Sequence, residues 1–168
     1  MKMINTFLDR VEEIIVAVSL TIAVALTFTE VILRKFFGSS LGFTQEAVIY
    51  LLIIAGLIGA SIGVRKKVHL GVDLVIQQYS PKVQKAIVIA TTTISVLFCL
   101  TFTFLGIEQV QVIATFGQVT PEMEIPLYIP IMVVPISFGL MSFRFIQQLV
   151  NNIKTPAEEI LQQEEGAH

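Results

Sequence analysis

The amino-acid sequence predicts an all-α integral membrane protein, with four transmembrane helices and a short amphipathic interfacial helix on the cytoplasmic side. Three observations carry that fold class. Of 168 residues, 54% are hydrophobic and only 14% charged, whereas soluble domains carry about 25% charged residues. Four apolar runs, over residues 14–33, 47–64, 86–112 and 126–150, keep their charges at their ends. Each reaches the roughly 20 residues that a helix needs to cross a ~30 Å hydrocarbon core. The cations, finally, gather on alternate connections, as they do around membrane spans. Period-two alternation is absent, so a transmembrane barrel is not expected.

The first helix begins ahead of its span. Thr6 is a candidate N-cap and Asp9 stands in the first turn, where the helix dipole favours an anion. Phe7, Leu8, Val11, Ile14 and Ile15 follow helical spacing, so the helix is expected to start in the interface. Asp9, Glu12 and Glu13 crowd the start of the apolar run, and no small-x-small site follows it. A retained span is expected here, not a cleaved signal. Near its far end Glu30 and Arg34 stand at i,i+4, the favourable order for a helical ion pair. They read either as a headgroup-level pair or as a polar contact to a partner helix.

Residues 36–43 are rich in turn formers, and Thr44 is placed to cap the next helix with Glu46 in its first turn as a dipole-stabilised surface carboxylate. The second span carries a double row of small residues, Ala55, Gly56, Gly59, Ala60 and Gly63. Such a face lets another backbone approach closely, which is how helices associate in lipid, so it is the candidate helix-packing or subunit interface. Arg65, Lys66 and Lys67 then stop the span at a membrane surface, and cations beside a span mark the cytoplasmic side. Residues 70–79 are too short to span and read as the interfacial helix. Ser80 and Pro81 restart the chain as N-cap and first helical residue.

The third span places Thr92, Ser95, Cys99, Thr103 and Gly106 within a narrow arc, a weakly polar stripe suited to helix contact. Glu108 follows at its far end. Thr120-Pro121-Glu122 reads as a cap-like start to the last span, Pro135 should kink it, and Arg144 should snorkel to the cytoplasmic surface. The tail, 151–168, is polar. Four spans then place both termini in the cytoplasm, with only Arg34 and Lys35 outward among the cations.

These features narrow the function. His69 and His168 lie outside the spans, so a bis-histidine haem is not expected. Cys99 has no intrachain partner for a disulfide, and no nucleophile–base constellation, metal set or cofactor motif is visible, so the chain does not read as an enzyme. No ionisable residue stands at mid-depth in a span. That weighs against a small self-sufficient homo-oligomeric carrier or channel, which stays as the alternative. His69, with Arg65 and Asp73 at helical spacing, reads as fixing the cationic elbow or meeting lipid phosphate.

Glu30-x-x-x-Arg34, Ser40-Leu41-Gly42-Phe43-x-x-Glu46, Gly59 and Arg65-x-x-x-His69-x-x-x-Asp73-Leu74 together resemble the small membrane subunit of TRAP transporters, DctQ-like, over essentially the whole chain. The sequence is most similar to the sialic-acid type, SiaQ-like. Phe43 and Gln45 stand where that family often has tryptophan and a further acidic residue. The resemblance implies an accessory scaffold in a bacterial inner membrane, paired with a large multi-span subunit that holds the substrate and sodium sites. A periplasmic binding protein would deliver the solute, an organic anion. The sodium gradient would be used by the large partner, with no cofactor here. The outward loops, with Glu46, Glu122 and Glu124 as rim charges, are then the candidate docking surface for the binding protein.

Overall fold

The computed structural model describes residues 2–65 and 80–155, with backbone alone at 2–5 and 81. Helix α1 (Lys2–Ile32) runs into a π-helical turn, Leu33–Phe37, that ends on Gly38 at φ 62°. Helix α2 covers Thr44–Arg65 and α3 covers Pro81–Thr115. A single turn, α4 (Tyr128–Ile131), leads into α5 (Val133–Lys154). Four stretches are long and apolar enough to cross a membrane: Thr6–Phe37, Thr44–Arg65, Lys82–Thr115 and Tyr128–Lys154. The described residues contain no β-sheet, only an isolated bridge between Val119 and Pro126. The expected interfacial helix, 70–79, and most of the polar tail lie outside the described residues.

Several local expectations change once the helices are placed. Ser80 caps α3 through its carbonyl, which accepts from Val83 and Gln84 N–H, while its hydroxyl makes no capping bond. Thr44 does not use its hydroxyl as a cap but donates it to Glu30 Oε2, 3.3 Å away. Thr120 starts no helix. Its hydroxyl accepts from Ile125 N–H, while Thr120 and Leu127 N–H donate to the carbonyls of Ile125 and Gln118, closing a compact loop. The last helix breaks at Met132, between α4 and α5. Pro135 accounts for that, since it has no N–H to offer the carbonyl of Ile131, four residues back.

The extensive contacts between described helices run α1 to α2, α2 to α5, and α5 to α3. Two antiparallel hairpins, α1–α2 and α3–α5, thus stand side by side, and α2 meets α5 in the middle. The core at that seam is Val64 of α2, Val96 and Cys99 of α3, and Met141 and Phe145 of α5. In lipid there is little hydrophobic gain from helix contact, so shape decides it. Gly106 sits so close to α5 that a Cβ there would stand 3.1 Å from Pro135 Cδ. Thr92, Ser95 and Thr103 return their hydroxyls to the carbonyls of Val88, Thr91 and Cys99, leaving the stripe free to pack. Phe102 and Phe138 stack beside it, with centroids 5.1 Å apart. Only 17–28% of each span's apolar window is buried within the chain, so most of the helix surface is left for lipid or other proteins.

Candidate functional site

The ionisable side chains of the spans lie at two levels, labelled inner for the one at the start of α1 and outer for the one at its far end. On α1, Glu12 and Glu30 are 18 residues apart, and on α2, Glu46 and Arg65 are 19 apart. At 1.5 Å per residue each separation is about 27–29 Å, one hydrocarbon thickness. No Asp, Glu, Lys or Arg stands between the two levels in α1, α2 or α5, or between Lys85 and Glu108 in α3.

The inner level joins three helices by charge. Arg144 of α5 is 5% exposed and donates to Asp9 Oδ1 and Glu12 Oε2, each at 2.8 Å. Arg65 of α2 reaches the same Asp9 oxygen at 3.0 Å and Glu13 Oε1 at 2.6 Å. Glu12, 2% exposed, accepts a further bond from Ser61 of α2 at 3.1 Å. Gln148 of α5 donates to the carbonyl of Val64 at 2.6 Å, extending the tie from α5 to the end of α2. The expectation that Arg144 snorkels to the surface is therefore wrong. Two carboxylates on α1 offer it a better environment than the headgroup layer, and the planar guanidinium can serve both. Burying charges costs several kcal/mol per ion unless each is paired, and here each has a partner of opposite sign. Close by, Lys85 of α3 donates to the carbonyls of Ile153 and Thr155, capping the end of α5.

The outer level is built on carboxylates met mostly by neutral donors. Glu30 accepts from Ser40 Oγ at 2.5 Å, Leu41 N–H at 3.0 Å and Thr44 Oγ1, and its i,i+4 bond from Arg34 is 3.2 Å. It thereby shapes the α1–α2 turn. Glu46 is not the surface carboxylate expected of it. It is buried under the 118–127 loop, where Oε2 accepts from Glu122 and Met123 N–H at 2.8 and 2.9 Å, and Tyr50 donates to Oε1. Glu122 and Glu124 themselves are exposed on that loop.

The small-residue face of α2 divides. Ala55 is buried, but Gly56 and Ala60 are exposed and Gly59 and Gly63 half-buried. A Cβ added at Gly56, Gly59 or Gly63 would meet nothing within 4 Å. The close approach expected there is made within the described chain at Gly106 instead. His69 and Asp73 lie outside the described residues. Asp9, Glu12, Glu13 and Arg144 form the network that sequence reasoning missed as a unit, and Glu12 did leave a signal. It shares one helical stripe with Ser19, Ala23 and Glu30, all buried.

The arrangement clamps helices at two depths and leaves the interior of each span apolar or weakly polar. Among the described residues no group of three His, Cys, Asp or Glu is placed to hold a metal. The chain is similar to the C4-dicarboxylate TRAP transporter small permease protein DctQ of Vibrio cholerae, with 25% identity over 86% of this chain and 72% of that protein. The Rhodobacter capsulatus protein of the same description is 25% identical, over 83% of this chain and 75% of its own length. The isethionate TRAP transporter permease protein DctMQ of Oleidesulfovibrio alaskensis is 23% identical over 66% of this chain, which corresponds to 18% of that longer protein. Residues 23–155 match the DctQ component of tripartite ATP-independent periplasmic transporters, a transporter component and not an enzyme. A chain with four spans, charge confined to two levels and a family match over most of its length belongs to the DctQ family of TRAP transporter small membrane subunits.

Proposed function

We propose that this chain is the accessory scaffold subunit of a sodium-driven, binding-protein-dependent transporter in a bacterial inner membrane, and that it carries no solute itself. A larger multi-span permease holds the solute and sodium sites, and a periplasmic binding protein delivers an organic anion. Sialic acid is the solute to which the sequence resemblance points. The relatives named above are described for C4-dicarboxylates and isethionate, which supports organic anion as the class. The observation that carries the reading is the empty middle of the spans. An anion carrier needs favourable charge or broken-helix ends near mid-membrane with ion ligands beside them. Here the ionisable groups stand a hydrocarbon thickness apart and tie helices to one another. That one relative holds the matched part as 18% of a longer permease supports association with a large partner.

Nine of the eleven cations, Lys2, Arg10, Arg65, Lys66, Lys67, Lys82, Lys85, Arg144 and Lys154, belong to the inner side if both termini are cytoplasmic. Gly56, Gly59, Ala60 and Gly63 are the surface for the permease, since Gly56 and Ala60 are exposed and a Cβ added at Gly56, Gly59 or Gly63 would meet nothing within 4 Å among the described residues. Glu122 and Glu124 are candidate rim charges for the binding protein, on a loop that Glu46 holds in place. The test is reconstitution. Liposomes with this chain alone should show no sodium-driven uptake of sialic acid, with or without the binding protein. Adding the permease subunit should restore uptake, and omitting this chain should abolish or severely reduce it. Saturable sodium-dependent uptake by this chain alone would replace the scaffold with a self-sufficient carrier.

A further inference from the structure

We infer that the outer half of the α1–α2 seam is a binding site for one anionic phospholipid. Two open-sided grooves lie end to end there, of about 630 and 440 Å³, sharing Thr27, Val31 and Val48. The deeper one is lined by apolar side chains, among them Ala23, Phe28 and Leu52. The outer one ends at Arg34 and Lys35. From Ala23 to Arg34 the helix rises eleven residues, about 16 Å, close to half of a ~30 Å hydrocarbon core. The seam thus runs from mid-membrane to headgroup level, the span of one acyl chain in one leaflet.

Charge distinguishes the occupant. Three ionisable groups line the mouth, Glu30, Arg34 and Lys35. The Glu30 carboxylate is turned into the α1–α2 turn, where Ser40, Leu41 and Thr44 donate to it. The Arg34 side chain is 68% exposed and touches Glu30 through one nitrogen only. Lys35 is exposed, in the same π-helical turn. The mouth is therefore net +1, with two cations presented outward. A phosphate seated there satisfies both, while the chain below it covers Phe28, Val31 and Leu52, which the described chain leaves exposed or half-exposed. A purely apolar partner helix would leave the cations unmatched. The inference rests on the helix pair alone and not on the permease.

The full-length chain in neutral detergent is tested by native mass spectrometry with added phosphatidylglycerol or phosphatidylcholine. One phosphatidylglycerol should be retained per chain, in preference to phosphatidylcholine by roughly five- to twenty-fold. Lys35→Gln should lower that preference roughly five-fold. Arg34→Gln should act the same way but also loosens Glu30, so Lys35→Gln decides. Val48→Trp, which fills the groove, should reduce retention of both lipids, and glycerol 3-phosphate, having no acyl chain, should not displace the lipid. Equal retention of the two lipids, an unaffected Lys35→Gln variant, or displacement by glycerol 3-phosphate would overturn the inference. So would efficient disulfide cross-linking of Val48→Cys to a cysteine on a permease helix in the assembled transporter, which would give the groove to protein.

Discussion

The inner and outer ends of this bundle both use carboxylates, for different tasks. At the inner end, Asp9, Glu12 and Glu13 face Arg65 and Arg144, and the bonds cross between three helices. At the outer end, Glu30 and Glu46 face backbone N–H groups and hydroxyls of the connections beside them. Charge against charge locks helices whose apolar surfaces gain little by leaving lipid. Charge against amides folds the connections at the other end of the bundle. If this division is right, damage at the inner end should unfasten the helices, and damage at the outer end should loosen a loop while the bundle stands.

The sharpest way to break the comparison is Arg144→Met. It strands Glu12, which is 2% exposed, and should destabilise the full-length chain by about 3–5 kcal/mol in a micellar unfolding titration. Adding Glu12→Gln should recover part of the loss. If Arg144→Met unfolds like the unaltered chain, the inner network is ornamental. Glu46→Ala should cost less, because it removes bonds from amides to a charged acceptor without stranding a buried charge. Its signature is local: amide hydrogen exchange at Glu122 and Met123 should rise sharply, while that of α1 should not.

The two glycine surfaces sharpen the same contrast. Gly106→Ala places a Cβ 3.1 Å from Pro135, and should cost about 1–3 kcal/mol by overpacking. Gly59→Ala meets nothing within 4 Å and should stay within about 0.5 kcal/mol of the unaltered chain. Smallest of all is Arg34→Gln. Its side chain is 68% exposed, so loss of the pair with Glu30 should cost at most about 1 kcal/mol in the same titration.

Much of the fold was legible because hydrocarbon imposes a length and charge distribution that a sequence displays directly. The four spans, the Glu30–Arg34 pair and the break before Pro135 all follow from spacing within a single helix. The hydroxyls of Thr92, Ser95 and Thr103 bond back to carbonyls four residues earlier, which is also a local rule. The inner network was not legible in full. Arg144 meets carboxylates 132 and 135 residues away, and nothing in its own helix names them. The same holds for Glu46, whose amides lie 76 and 77 residues downstream. Glu12 could have been singled out, since an acid in register with buried Ser19 and Ala23 belongs to a packed face.

The small-residue face of α2 decides whether the bundle was built for a partner. The direct measurement is co-purification of Gly59→Leu with the permease subunit, read beside the unfolding midpoint of the same variant on its own. Assembly should fall severely while the midpoint holds, because a bulky side chain there blocks the approach of another chain, whereas a Cβ at that position meets nothing within 4 Å among the described residues. Full assembly with Gly59→Leu would contradict the scaffold interface and leave that face to lipid.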